Sequence, residues 1–532
     1  MISGRRAIGA KGGDIKISPK RIAIRAIFLL TVLWMIFTLY YRESVSSNHE
    51  SNPLLAPIAQ SLLSSSAGSS HFNLRQVVKS IVNNTQSISA LNDGSAVGNN
   101  MENRNPEEIS SHTSHDRERE DSHHGYIPFH SVFSTDCSPF QDWQTLLLFH
   151  SAVVVKQVGP ITRIASGCSD AKKAQLTTLY RKLYPQYHVH FTPDYKTDAK
   201  TNKKYDFYNK PYGMLHWLTH ADPPVKGGTI IALLDPDFVF LRPLTANVSP
   251  DSRTIVSAGT SLAEVFQRVD KGHPVAQQYG LGAPWVNDRN KQMNRTRICG
   301  VSSPCTAVPD EHLGSKHYSV GAPYILEKED MVRLVTSWVE FVPRVYDGYP
   351  DLLAEMYAYS MAAAHNELPH LQLDHFMVSN VDMDQGEGWQ WVDALGDDVC
   401  APPDEQGLFY PDMPLPTFVH YCQFFRAAEW GFHKRRVYGD IFSCHRPMLL
   451  DPHLPYGNLS SADKRIPLVD FKDRDGEIVK MSRKQVRRSS FVLCVLHTAL
   501  NAALLDYKTR MCHNDTNTNY EKSVNVALIT KY

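Results

Sequence analysis

The stretch Gly228-Thr-Ile-Ile-Ala-Leu-Leu-Asp-Pro-Asp-Phe-Val-Phe-Leu-Arg-Pro243 constrains this chain more than any other. Ile230 to Leu234 is an unbroken apolar run rich in β-branched residues, the pattern of a strand buried on both faces of a sheet. Pro236 has no N–H to give a ladder and its φ is fixed, so the strand should end there. That leaves Asp235 and Asp237 at the C-terminal mouth of the strand, the edge at which open α/β sheets bind ligands. Two carboxylates one residue apart make half a site for a hard divalent cation, Mn²⁺ or Mg²⁺, to be completed by a ligand from elsewhere and by substrate phosphates. Asp and Pro are also ordinary turn residues, so the motif takes its meaning from what surrounds it.

What surrounds it alternates. Phe129 to Asp136 is a strand ending in Ser134, Thr135 and Asp136, small polar residues suited to the edge of a nucleotide. Phe140 to Val155 has helical spacing, Gly159 to Ser166 is a strand after a Gly-Pro break, Ala171 to Leu183 a helix, and Tyr187 to Thr192 a strand. Asn209 opens a helix with Pro211 in its first turn, and the Asp-Pro-Asp strand follows. This β-α-β-α-β-α-β order predicts an α/β domain with a mostly parallel central sheet. Further on, Val320 to Leu326 returns to the sheet, Lys328 to Val342 and Leu352 to His365 are helices, and Thr417 to Cys422 is a late strand. Arg483 to Met511 is helical; His497 and Asn501 interrupt its apolar core, which favours a packing helix over a membrane span.

Lys+Arg and Asp+Glu both number 55, so nothing in the charge argues for a nucleic-acid partner. The charge is nevertheless uneven. Residues 1–21 are basic and read as a cytoplasmic tail; residues 22–41, IAIRAIFLLTVLWMIFTLYY, have the length of a membrane-crossing helix. No A-x-A site follows, which favours an anchor over a cleaved signal peptide. The expected topology is single-pass type II with a lumenal bulk. Residues 42–125 are rich in Ser, Asn, His and Glu and read as a disordered stem, apart from a short helix near Leu74–Val82. Sequons at Asn83, Asn247, Asn294, Asn458 and Asn514 fit a lumenal protein. Residues 126–450 form the expected folded domain and 451–532 a C-terminal extension. Of nine cysteines, Cys299 with Cys305 and Cys494 with Cys512 are spaced to close loops, and the odd count leaves one thiol over.

Phe133-Ser-Thr-Asp-Cys137, Asp142-Trp-Gln-Thr145, Gly159-Pro-Ile-Thr-Arg163, Asn209-Lys-Pro-Tyr-Gly213, the Asp-Pro-Asp strand, Glu355-Met-Tyr-Ala-Tyr-Ser360 and Val419-His-Tyr421 occur in one order. Together they resemble the peptidyl hydroxyproline O-arabinosyltransferases and peptidyl serine O-galactosyltransferases of plants and algae. The resemblance covers roughly Phe129 to Glu429. It implies a GT-A-type glycosyltransferase domain anchored in the Golgi membrane, with the endoplasmic reticulum as the alternative. The donor would be UDP-arabinofuranose or UDP-galactose, and the acceptor a secreted or cell-wall protein bearing hydroxyproline or serine. The arabinosyl branch is the main expectation and the serine galactosyl branch the alternative, with anomeric configuration retained in both.

The expected roles follow. Asp235, Asp237 and His420 hold the metal, and Asp235 also faces the nucleotide-sugar, the metal neutralising the departing UDP diphosphate as a Lewis acid. Ser134, Thr135, Asp136, Arg163, Asn209 and Lys210 bind the donor. Lys210 and Glu355 are the catalytic pair: an ammonium for the diphosphate, and a buried carboxylate to orient the acceptor hydroxyl or to stabilise charge at the anomeric carbon. Trp143, Gln144 and Trp389 meet the acceptor. Two other classes compete. A non-catalytic lumenal carbohydrate-binding protein would have lost the metal and phosphate groups, which are present. A two-metal hydrolase would need a denser His/Asp cluster than this strand carries.

Overall fold

The computed structural model describes residues 128–248, 254–287, 290–396, 398–427, 430–450, 471–472, 478–479, 481–513 and 516–521. The expected tail, anchor, stem and Leu74–Val82 helix lie outside these residues, as do the sequons at Asn83, Asn458 and Asn514. In chain order the elements are β1 (Phe129–Asp136), α1 (Pro139–Val154), β2 (Ile161–Ser166), α2 (Asp170–Leu183), β3 (His188–Thr192), α3 (Asn209–His220), β4 (Ile230–Leu234) and β5 (Phe238–Phe240). There follow β6 (Val275–Gln278), β7 (Val320–Glu327), α4 (Lys328–Gly348), α5 (Ala354–His365), β8 (Leu371–Leu373) and β9 (Met377–Val378). The last are β10 (Phe418–His420), β11 (Phe425–Ala427), β12 (Trp430–Phe432) and α6 (Arg483–Met511).

Seven strands form the central sheet in the order β3-β2-β1-β4-β7-β6-β8. β1 to β4 are mutually parallel where they pair, as the alternating sequence predicts, and β6 pairs parallel with β8. β7 is the exception, antiparallel to both β4 and β6. All its residues are buried, so its sequence reads as a fully covered strand whichever way it runs.

Register sorts the side chains of the first strands onto two faces. His130, Val132 and Ser134 lie beside Thr162, Ile164 and Ser166, and these beside His188, His190 and Thr192; α3 packs over this face. A Cβ on Gly213 would come within 2.9 Å of Ile164 Cγ2, so glycine is what lets α3 sit this close to the sheet. The opposite face carries Thr135 and Arg163. The Arg163 guanidinium donates to Thr135 Oγ1 (2.7 Å), Asp142 Oδ1 (2.9 Å), the Asp136 carbonyl (2.8 Å) and the Tyr180 hydroxyl, tying β1 and β2 to α1 and α2.

A second core lies beyond β5. It joins Trp143, Leu147, Val239, Val378, Trp389, Val419 and Tyr421 to the middle of α6. Phe491 to Leu496 are all buried, the signature of a helix sunk in a core on every side. The two polar residues that interrupt the helix are used inside. Asn501 donates to the Leu449 carbonyl and accepts its N–H, both at 2.8 Å, and His497 Nδ1 bonds the Leu493 carbonyl at 2.8 Å. Although α6 is long and apolar enough to cross a membrane, it packs here against α1 and β11.

Disulfides join Cys137–Cys168, Cys299–Cys305, Cys400–Cys494 and Cys444–Cys512, and Cys422 is free. The Cys299–Cys305 loop and the leftover thiol match expectation. The Cys494–Cys512 pairing does not: Cys494 lies within α6 and Cys512 caps its end, about 27 Å away at 1.5 Å per residue. Each instead staples α6 to the chain before it. Replacing Asn501 with Ala strands the buried N–H and C=O of Leu449. The expected result is a loss of about 2 kcal/mol or more in urea unfolding, the denaturant slope unchanged.

Candidate functional site

β4 ends where the sequence places it, and the chain then leaves the central sheet. Past Pro236, β5 pairs antiparallel with β10, setting Phe238 opposite His420. The Asp237 carbonyl accepts the Tyr421 N–H at 3.1 Å, and the His420 ring lies edge-on to Phe238. This register carries His420 to Asp237, with Nε2 at 3.4 Å from Oδ2. One oxygen each from Asp235 and Asp237 and one ring nitrogen of His420 lie within 4.8 Å of one another, the only such group among the described residues.

Two lysines flank this group. Lys210, in the first turn of α3, places Nζ 2.9 Å from Asp235 Oδ1 and 3.5 Å from Glu355 Oε1, which rises from the first turn of α5. Lys434, just after β12, pairs with Asp237 Oδ2 from the other side. The Tyr324 ring lies under Lys210, 5.6 Å from Nζ.

Burial and charge oppose each other throughout. Burial alone would raise the Asp237 carboxyl, but the Lys434 ammonium and His420 outweigh it and hold it well below the usual range. Burial would lower His420; the Cys422 sulfur and the Asp237 carboxylate reverse this and raise it well above the ordinary imidazole value. Lys210 likewise keeps its proton because Asp235 and Glu355 offset its burial. Glu355 goes the other way: burial and then Asp235 push it up, against the pull of Lys210.

The donor set suits a hard divalent cation with one borderline ligand, as Mn²⁺ accepts. Glu355 stands outside this donor set, with Oε1 turned to the Lys210 ammonium at 3.5 Å. The ammonium of Lys434 already serves Asp237 as its positive partner, and a cation would take over that service.

The other expected site residues divide. Ser134 donates to the Asn209 carbonyl (3.3 Å), and Asn209 uses its own amide on the Tyr195 N–H (2.7 Å) and Asp194 Oδ1 (3.1 Å). Both therefore build the start of α3, on which Lys210 stands. Asp136 accepts from Ser138 and pairs with Lys196 at 3.3 Å, at the open end of β1. Thr135 and Arg163 are buried against each other, with four of the five guanidinium donors taken by protein, so the ion pair replaces the expected donor contact.

The expected acceptor residues also move inside. Trp143 and Trp389 are each 1% exposed, Trp143 stacked on Tyr421 and Trp389 donating to the Asn380 carbonyl. Gln144 is buried and bonds the Phe140 carbonyl of its own helix. Large aromatics fill the second core first, and a spacing argument has no means of telling core from rim. Lys434 is the residue sequence reasoning missed. His433-Lys-Arg-Arg436 stands out by charge, but a basic run reads as solvated surface until a hairpin folds one member inward.

No family model matches the chain. Over 333 residues it is 27% identical to a peptidyl serine alpha-galactosyltransferase of Arabidopsis thaliana, covering 62% of this chain and 34% of that protein. Over 404 residues it is 22% identical to one of Chlamydomonas reinhardtii, covering 72% and 46%. The chain is related to the peptidyl serine alpha-galactosyltransferases. It spans about a third to a half of the length of these relatives. Both names belong to the serine galactosyl branch, which the sequence had placed second to the arabinosyl one. A crystal structure of the galactosyltransferase LgtC with donor and acceptor sugar analogues aligns over 55% of this chain and 87% of its own, at 12% identity and a TM-score of 0.29.

Lys434→Met tests the cation fit. It leaves Asp237 buried without its ammonium and should lower stability by roughly 2–3 kcal/mol in a chelator. Millimolar Mn²⁺ should restore most of that loss in thermal melts. A deficit indifferent to Mn²⁺ would mean that the carboxylates do not take a cation.

Proposed function

We propose that the chain is a metal-dependent, GT-A-type glycosyltransferase that moves galactose from UDP-galactose to a serine hydroxyl of a secreted protein, retaining anomeric configuration. The observation that carries this reading is the convergence of Asp235, Asp237 and His420 within 4.8 Å, flanked by Lys210 and Lys434. Two carboxylates beside two ammoniums suit a cation and a diphosphate bound together. Kinship with peptidyl serine alpha-galactosyltransferases supports the donor and acceptor classes.

Asp235, Asp237 and His420 would hold the divalent ion, whose chemistry is to neutralise the diphosphate as a Lewis acid. Lys210 and Lys434 turn from their carboxylates to the phosphate oxygens and stabilise the leaving UDP. The bond from the anomeric carbon to the β-phosphate oxygen breaks, and the serine oxygen bonds to that carbon on the same face. The serine proton passes to the β-phosphate oxygen that leaves. Glu355, buried beside Lys210, fixes the lysine and stabilises positive charge on the sugar.

For the acceptor, the exposed Phe424 replaces the buried tryptophans. It follows the cluster's His420 by four residues, Arg426 covers its ring at 4.5 Å, and His433 meets it edge-on. With the basic tail and apolar segment at residues 1–41, we place the enzyme in the Golgi membrane as a type II protein.

The test uses the purified chain with Mn²⁺, UDP-galactose, UDP-arabinofuranose and other UDP-sugars, and serine- and hydroxyproline-rich peptides. UDP release should be highest with UDP-galactose and a serine peptide, and Asp235→Ala/Asp237→Ala should lower it about 100-fold or more. Turnover with UDP-arabinofuranose alone would return the arabinosyl branch. No release from any donor by folded protein would sink the enzyme and favour the carbohydrate-binding alternative. Phe424→Ala should raise the acceptor KM about fivefold while leaving peptide-independent donor hydrolysis unchanged.

A further inference from the structure

The far end of α3 carries a constellation unrelated to the carboxylates. His216 and His220 stand one turn apart on the helix, and His190 reaches them from β3, the outer strand of the sheet. His190 Nε2 and His216 Nδ1 are 2.8 Å apart, and the His216 and His220 rings stack at 4.4 Å. Nδ1 of His220 is taken by the Thr219 hydroxyl (2.7 Å) and the His216 carbonyl (3.1 Å), which leaves its Nε2 for another partner. His188 lies two residues before His190, on the same face of β3.

We propose that His190, His216 and His220 form a transition-metal site of the zinc class, separate from the Asp235–Asp237–His420 group. Neutral imidazoles are the ligands zinc, copper and nickel prefer, whereas the carboxylate site suits manganese or magnesium. The surroundings favour the neutral form. His190 is pushed down to about 4 by burial and then by its two imidazole neighbours, and His216 is lowered by burial and by His220. Two such rings share one proton across their 2.8 Å contact, and the third has no place in that arrangement. A tetrahedral ion at about 2.0–2.1 Å from each nitrogen sets them roughly 3.3 Å apart. The His190–His216 contact needs to widen by only about half an ångström, and His220 has to turn outward about its side-chain bonds. Three imidazoles leave the fourth position to water or to His188. The ion would fasten the outer strand to the helix whose first turn carries Lys210, and the shared proton would move to the far nitrogen of its own ring.

The test is equilibrium dialysis of the purified full chain against Zn²⁺, with millimolar Mg²⁺ present and bound metal measured by mass spectrometry. One zinc per chain is expected, retained in Asp235→Ala/Asp237→Ala. His216→Ala and His190→Ala should each weaken binding at least about 10-fold. Should either misfold, the exposed His220→Ala serves, with the visible bands of tetrahedral Co²⁺ as a second readout lost in the variant. Zinc content equal in wild type and all His variants, or zinc lost only with the two aspartates, would overturn the proposal. Neither result bears on sugar transfer, which rests on the other site.

Discussion

Everything about the site depends on keeping a group of buried charges close to neutral. Asp235 and Glu355 answer to Lys210, and Asp237 to Lys434 and the His420 ring. Any one of them left alone in that interior would cost several kcal/mol. The fold provides the partners from five places: the mouth of β4, the start of α3, the start of α5, the end of β10, and the turn after β12. An ion and a diphosphate bound together would bring opposite charges, so the same side chains could exchange partners without leaving a net charge buried.

That economy explains the backbone around it. Gly213 lets α3 approach the sheet, and Asn209 and Ser134 fix its first turn, so Lys210 is delivered at a set depth. Arg163 performs the matching service on the opposite face, where it pins β1 and β2 to their helices. Residues expected to touch a ligand thus turn out to position the candidate site residues. The distinction matters for interpretation: a variant of Arg163 or Asn209 would lose activity through position, and its loss would accompany a loss of stability.

The fold was legible because its signals are local. Buried strands such as Ile230–Leu234 and Val320–Glu327 announce themselves by composition, and helices such as Arg483–Met511 by their length and breaks. Asp235, Asp237, His420, Lys210 and Glu355 were legible too, since each ends a strand or opens a helix. What could not be read was set by distant pairing. The reversal of β7, the Cys400–Cys494 link, the inward turn of Lys434, and the burial of Trp143 and Trp389 all arise where segments far apart in sequence meet. Periodicity gives the face a residue occupies on its own element, not what covers that face. The choice between sugar branches lay beyond the residues as well, and rests on the relatives.

Pro236 marks more than the end of a strand. Asp235 closes the central sheet, and Asp237 opens a strand shared by the two cores, Phe238 and Phe240 facing the first and Val239 the second. A single ion gripped by both would act as a rivet through the seam between the two halves of the protein. Any breathing of one half against the other would register there as a change in ligand spacing, and a seated ion would damp it. The site would then be a mechanical part of the protein as well as a chemical one.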